Sequence, residues 1–384
     1  MAKIGIITFN FTIDNYGQIL QYLATQEYLR GLGHKAILVE PNGWRKTPSR
    51  YIKWTLQLLW RFIKRIVLYK NNPSNKKDSI IESTEIKKQI EFKRWSSITN
   101  NQEKKHPRHF NKFKKKYFLT KSGTYDDILE EKFDAFCVGS DQTWSGAGYH
   151  WLLGWVPSNV KRFSIAPSIG HRKYTKLEIK SFIPYLKKFD FITVREDNGM
   201  QFCNLCGRSD AIKILDPVFL LQADSYNSFI NISTKKEEPY VFIYMLGGEI
   251  ELSMTKIFDF CHHQGLKIKY VESQGRNEDF NDKIFATIEE WLELIKGASF
   301  VITNSFHGTA FSIIFQKPFL TFPLINLMKD MNGRIYDLLE QMDLQKRIYK
   351  GNLDVLMQKI DWNISKKRII DNKNTLNRLI KKTL

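Results

Sequence analysis

Cysteine is scarce in this chain. Four cysteines in 384 residues are too few for the disulfide framework that staples small secreted domains. Cys203 and Cys206 form a single CxxC with no second pair and no histidine nearby, two ligands short of a structural zinc site, and read as free thiols. Long apolar runs are also missing. None reaches the roughly 18 residues of a membrane-spanning helix. Met1-Ala2-Lys3 leads into the short run Ile4-Gly5-Ile6-Ile7-Thr8, not into the longer apolar stretch of a secretory signal. A reduced, cytoplasmic protein is expected.

Acidic residues are the next shortage. Asp and Glu number 40 against 59 Lys and Arg, for a net charge of +19. The surplus points to an anionic partner, whether phosphates, an anionic membrane surface or nucleic acid, with a basic composition bias accounting for part of it. Several motifs are absent: GxGxxG, the Walker lysine loop, HExxH and GxSxG. Dinucleotide binding, P-loop chemistry, zinc proteolysis and α/β-hydrolase chemistry lose their usual signatures.

The apolar share is 42%, enough for large cores, and the length suits two or three domains. Residues 3–9 read as a buried strand, 10–17 as a polar loop, and Ile19 to Leu32 as a helix on its apolar spacing, with Ala36 to Val39 a second strand. That strand–loop–helix–strand unit opens a parallel, Rossmann-like sheet. Further strands are expected at 133–138, 162–166, 191–194 and 212–215, and a helix at 177–186. After a linker at 222–238 a second α/β unit starts with Tyr240 to Tyr244 and continues through strands at 267–271, 299–303 and 319–322. Its helices are expected near 250–264, 287–296, 310–315 and 334–342. The pattern gives an α/β fold of two Rossmann-like domains, 1–221 and 236–345, with a basic helical tail at 346–384.

Two stretches interrupt this order within 44–121. Residues 44–72 hold Trp44, Trp54 and Trp60 among arginines and lysines, without one Asp or Glu. A basic, Trp-rich amphipathic helix reads as an interfacial anchor on an anionic membrane; its apolar face packing on the domain is the alternative. Residues 73–121 are strongly basic and read as a mobile insertion or a rim over a cleft. Nucleic-acid binding is disfavoured, because no compact nucleic-acid motif accompanies the charge.

Polar residues recur at the C-terminal ends of the expected strands, the edge where open parallel sheets hold ligands. Four groups compete there. Asp14, Asn15 and Gly17 follow the first strand, where a carboxylate or amide can meet sugar hydroxyls or cap the helix. Ser140, Asp141 and Gln142 follow the strand at 133–138. Arg195, beside Glu196, offers a planar fork for a carboxylate or phosphate, or pairs with its neighbour. Ser305, His307 and Gly308 form an elbow between strand and helix, where free amides and the helix dipole favour an anion and an imidazole can move a proton. Lys329 and Arg334 lie a short loop further on and can share that anion.

Together these segments resemble the polysaccharide pyruvyl transferase family. The resemblance rests on Asn15-Tyr16-Gly17 with Leu20-Gln21, on Phe133-Asp134-Ala135-Phe136 running into Gly139-Ser140-Asp141-Gln142-Thr143-Trp144, on Arg195-Glu196 and Asp216-Pro217, and on Thr303-Asn304-Ser305-Phe306-His307-Gly308-Thr309-Ala310-Phe311. Gly333-Arg334-Ile335 resembles the closing segment. The likeness spans about 3–349. It omits the insertion, and Ala166-Pro167-Ser168 departs from the family's aromatic-containing stretch. The resemblance implies a glycosyltransferase-B-like pair of domains facing across a cleft. It also implies transfer of the pyruvyl group of phosphoenolpyruvate to two sugar hydroxyls as a cyclic ketal.

On this reading His307 transfers a proton or stabilises the departing phosphate, with Arg195, Lys329 and Arg334 holding the donor. Asp14 or Asp141 orients or deprotonates the acceptor, a lipid-linked saccharide, and no metal or other cofactor is required. The alternatives are a nucleotide-sugar-dependent glycosyltransferase of the same architecture and a non-catalytic partner in capsule assembly.

Overall fold

The computed structural model describes residues 1–9, 11–43, 76–145, 148–170, 174–230, 238–273, 275–276, 280 and 282–384, with the side chains of 76–85 excepted. The basic, Trp-rich segment 44–72 lies outside the described residues.

The first lobe is built on β1 (Lys3–Ile7), α1 (Tyr16–Gly31), β2 (Lys35–Pro41), α2 (Lys76–Lys105), α3 (Phe110–Tyr117), β3 (Thr120–Gly123), α4 (Tyr125–Glu130), β4 (Ala135–Val138) and β5 (Lys161–Ser164). Its five strands run in the order β3-β2-β1-β4-β5, all parallel. The central strands carry short apolar runs, Ile4 to Ile7 in β1, Ala36 to Val39 in β2 and Ala135 to Val138 in β4, because both faces of the sheet are covered. Next come α5 (Lys176–Leu186), β6 (Thr193–Val194), α6 (Asp197–Leu205) and β7 (Ile212–Lys213). β6 and β7 pair in parallel, and a bridge between Phe163 and Phe191 joins them to β5.

The second lobe holds β8 (Tyr240–Tyr244), α7 (Met254–His263), β9 (Lys267–Val271), α8 (Ile288–Gly297), β10 (Phe300–Thr303), α9 (Phe306–Ile314), β11 (Phe319–Thr321) and α10 (Gly333–Gln341). Its four parallel strands run β11-β10-β8-β9. The two lobes are the Rossmann-like pair expected from the sequence.

The lobes meet on an apolar seam. Tyr16, Ile19, Leu20 and Leu23 of α1 share one core with Tyr244, Trp291, Phe306 and Phe311 of the second lobe. Tyr16 stacks on Trp291 with centroids 5.3 Å apart and donates to the Ala286 carbonyl at 2.6 Å. The last helix, α11 (Asn363–Thr383), returns to the first lobe. Its Leu376 and Ile380 are buried with Ile4, Ile6 and Leu220, and Asn372 accepts from the Leu215 amide at 3.0 Å. Ser365, near its start, donates to Met342 of the second lobe at 3.1 Å. The tail therefore ties the lobes together.

Of the two expectations for 73–121, a mobile insertion or a rim over a cleft, the first does not describe residues 76–121. Residues 76–105 form one 30-residue helix and 120–123 pair with β2 as the sheet's edge strand. α2 contacts both lobes. Thr99 donates to Asp14 at 3.0 Å, Gln102 donates to Glu272 at 3.0 Å, and Lys88 pairs with Asp330 at 3.3 Å. Trp95, 2% exposed, packs with Leu324 and Met328. These anchors are single side chains widely spaced along a polar helix, which a sequence pattern does not flag as core.

Candidate active site

The elbow at 304–309 is set by its hydrogen bonds. Ser305 caps α9, its hydroxyl accepting from the Gly308 amide at 3.3 Å, so the helix starts at Phe306 rather than at Ala310 as the apolar run suggested. Thr303 Oγ accepts from the Ser305 amide at 3.0 Å and donates to the Tyr244 carbonyl at 2.6 Å. Gly308 lies so close to β10 that a Cβ there would fall 2.3 Å from Thr303 Oγ. Its role is this close approach. The first-turn amides of Phe306 and His307 have no carbonyl partner within the helix.

His307 projects from this elbow onto the other lobe. A Cβ on Gly17 would lie 1.8 Å from its Nδ1, so only glycine fits at that point of α1. The other ring nitrogen, Nε2, is buried without a hydrogen-bond partner and stands 3.7 Å from Asp216 Oδ2. That distance is an ion-pair separation, not a hydrogen bond.

Asp216 lies at the centre of a buried network. Arg195 Nη1 donates to Asp216 Oδ2 at 2.7 Å, the Ser140 hydroxyl donates to the same oxygen at 2.8 Å, and the Val218 amide donates to Oδ1 at 3.1 Å. Burial alone would raise this carboxyl, but His307 and Arg195 outweigh it and hold it well below the usual carboxylate range. Burial likewise works against the Arg195 cation, and the Asp216, Glu196 and Asp141 carboxylates overcome it, keeping that guanidinium above its ordinary value. Arg195 also stacks under the Phe306 ring at 4.6 Å and pairs with Glu196 at 3.5 Å. Glu196 Oε1 accepts from the Ser168 hydroxyl at 2.7 Å and the Ile169 amide at 2.8 Å.

Arg334 completes the cluster. It lines one small cavity with Arg195, Asp216 and Phe306. With the Gln142 amide oxygen turned toward it, both terminal guanidinium nitrogens donate at 3.2 Å. Burial and then the nearby Arg195 cation push Arg334 below its ordinary value. Two guanidiniums here face three carboxylates: Asp141, Glu196 and Asp216. Arg195 Nε and Glu196 Oε2 face each other only at ion-pair distance, 3.5 Å, and they, Arg195 Nη2 and His307 Nε2 are buried without hydrogen-bond partners. Buried donors in that state are costly, and together they are a ready seat for an anion.

The structure thus gathers Ser140, Asp141, Gln142, Arg195, His307 and Arg334. Asp141 sits in the left-handed region (φ 68) and accepts from Gln18 at 3.2 Å. Asn15 is occupied as the α1 cap, accepting from the Gln18 amide at 3.1 Å. Asp14 faces elsewhere: its two oxygens accept from Thr12 and Thr99, each at 3.0 Å. Burial raises its carboxyl above the ordinary value, against those hydrogen bonds and the Arg108 cation. Lys329 is exposed on the 3-10 turn Asn326–Asn332. Asp216 was legible only as an Asp-Pro after a strand, and neither it nor Phe306 was picked as a site residue. Among the described residues, no group of three or more His, Cys, Asp or Glu side chains is placed to hold a metal ion. All four cysteines are buried and unpaired, and burial pushes the Cys206 thiol up to about 11.

An α/β protein of two Rossmann-like lobes with a small arginine-lined cavity, beside which His307 faces Asp216, is the class that this geometry defines. The family model of polysaccharide pyruvyl transferase matches residues 15–324, and the chain belongs to that family. No curated protein matches the chain. Among solved structures, it is similar to the UDP-GlcNAc 2-epimerase from Neisseria meningitidis bound to UDP-GlcNAc (10% identity, 98% of this chain and 92% of that one, TM-score 0.45). It is also similar to the UDP-GlcNAc 2-epimerase from Methanocaldococcus jannaschii (11%, 96% and 91%, 0.43). A third is the Streptomyces sp. SF2575 glycosyltransferase SsfS6 complexed with thymidine diphosphate (10%, 100% and 100%, 0.43).

Proposed function

We propose that this chain transfers the pyruvyl group of phosphoenolpyruvate to two hydroxyls of a saccharide, forming a cyclic ketal and releasing phosphate. The observation that carries the reading is the convergence of Arg195 and Arg334 on one cavity, with Arg195 Nη2 and the nearby His307 Nε2 lacking hydrogen-bond partners. Phosphoenolpyruvate brings a carboxylate and a phosphate on three carbons, and two guanidinium forks beside a helix start match that charge pattern.

In this scheme His307 delivers a proton to the methylene carbon, which becomes the ketal's methyl group. The central carbon then takes the oxygen of the first hydroxyl. The carbon–oxygen bond to phosphate breaks, and the second hydroxyl closes the ring. Of the two hydroxyl protons, one replaces the proton spent on the methylene and the other leaves with phosphate. Asp216, 3.7 Å from the imidazole, is the carboxylate that faces the ring as it gives up and takes back its proton. Asp141 is the acceptor-side base, since Asp14 is turned toward α2. The seat for a dianion is balanced: with the ring protonated, the cluster carries no net charge, and binding is carried by the free donors. No helix among the described residues is long and apolar enough to cross a membrane; a lipid-linked acceptor would be met at the surface, with 44–72 as the proposed contact.

The test is mass spectrometry of lipid-linked saccharides incubated with the protein and phosphoenolpyruvate. The expected product gains one pyruvate less one water. Nucleotide release from sugar nucleotides, without phosphate release from phosphoenolpyruvate, would replace this reading with glycosyl transfer.

A further inference from the structure

The last helix carries more charge than its packing uses. Residues 363–384 hold seven lysines and arginines against one acid, Asp371. One side of α11 does the packing, through Ile369, Asn372, Leu376 and Ile380. Two of the cations serve the fold. Arg368 donates to the Glu340 and Gln341 carbonyls, and Lys373 leans over the Tyr28 ring at 6.0 Å.

The opposite side is turned to solvent. Lys367, Ile370, Asn374, Arg378 and Lys381 follow one another at steps of three or four residues and so form one stripe along the helix. All five are exposed, as is Lys382 beside them. Among the described residues, Lys367, Lys381 and Lys382 have no ion-pair partner, and Arg378 bonds only within its own turn, to Thr375 at 3.4 Å. Two large aliphatic side chains share this side: Ile370 is 58% exposed and Ile364 42%.

Unspent cations with aliphatic side chains between them suit a helix lying on an anionic bilayer. The charges meet the headgroups, and the aliphatic carbons enter the layer beneath. Nucleic acid is the poorer match, because the stripe has no aromatic side chain on which a base could stack. We infer that the outward face of α11 is a docking surface for an anionic lipid bilayer. It is separate from segment 44–72. It also lies close to the candidate site: Asn372, on the packed side of the same helix, accepts from the Leu215 amide at 3.0 Å, one residue before Asp216. A docked tail keeps that part of the lobe junction one helix away from the lipid.

The test is co-sedimentation of the full chain with vesicles of equal parts phosphatidylglycerol and phosphatidylcholine, and with phosphatidylcholine alone. Neither phosphoenolpyruvate nor saccharide is present, so the result does not depend on the transferase reading. The tail variant is Lys367→Gln/Arg378→Gln/Lys381→Gln/Lys382→Gln. The control, Lys104→Gln/Lys105→Gln/Lys112→Gln/Lys115→Gln, removes the same charge from exposed positions of α2 and α3. Glutamine keeps helix propensity, and equal melting temperatures for the three proteins confirm that the folds match. The unaltered chain is expected to sediment with the anionic vesicles alone, and less so as salt rises. The tail variant should partition roughly 100-fold more weakly, about half of what four cations in full contact would supply, and the control should bind nearly as the unaltered chain does. Equal partitioning of the tail variant and the unaltered chain overturns the inference. An equal loss in both variants does so too, since it would report net charge rather than this face. No binding to anionic vesicles, or tail-dependent binding to duplex DNA in their place, is equally fatal.

Discussion

The imidazole of His307 rests against the backbone of Gly17, and a Cβ at Gly17 would sit 1.8 Å from its Nδ1. One lobe thereby fixes the ring that the other lobe supplies. Gly17→Ala is expected to force the imidazole or the lobes aside, abolishing measurable transfer and lowering the melting temperature. The double variant Gly17→Ala/His307→Ala removes the obstacle, so it should melt higher than Gly17→Ala alone. Thermal scans of the four proteins check this, and strict additivity would count against the contact.

Asp216 neutralises a guanidinium that is 3% exposed. Asp216→Asn leaves Arg195 with only the longer Glu196 pair, and an unfolding free energy lower by about 3–5 kcal/mol is expected. The sign with pH follows from a folded value below the ordinary 3.8. The carboxylate's contribution is present above that ordinary value and is lost as pH falls below it. Denaturant titrations should therefore show a constant gap at neutral pH that closes only in strong acid.

Asp14 behaves in the opposite sense. Its folded value is raised, chiefly by burial, so the folded state keeps a proton that the unfolded chain releases. Stability is highest below the ordinary value and declines as pH rises through the raised one. Asp14→Asn, able to bond the same two hydroxyls, should flatten that decline and raise the melting temperature near neutral pH. Transfer activity should survive, because Asp14 faces Thr99 rather than the cluster.

Much of this was readable beforehand, and the physics says which part. β8 and β9 fall on Tyr240–Tyr244 and Lys267–Val271 as expected; β8, buried at every residue, reads as the uninterrupted apolar run of a parallel strand covered on both faces. The elbow was legible as strand, polar break and helix. Its helix start was not, since Phe306, His307 and Gly308 are indifferent helix formers and the Ser305 cap decides the boundary. β7 is two residues long, so the Asp216 that follows it carried little weight. Asp14 and Asp141 looked equivalent as loop acids. A positive φ turns Asp141 toward Gln18, while Thr99, 85 residues away in sequence, claims Asp14. Long-range partners of that kind leave no local pattern. α2 was missed for the same reason, its order resting on contacts such as Gln102 with Glu272.

Arg334 is a cation that burial and Arg195 both disfavour. Arg334→Met should therefore leave the protein as stable as before, or more so, while weakening the hold on a dianion. A drop in melting temperature would mean that Arg334 serves the fold.

Calorimetric titration of phosphoenolpyruvate into the unaltered chain and into Arg334→Met, without acceptor, tests the donor site most directly. The account predicts a saturable isotherm for the unaltered chain and an affinity roughly 10- to 100-fold weaker for the variant, the scale of losing a charge-assisted fork. Equal affinities, or no heat from either, would contradict it.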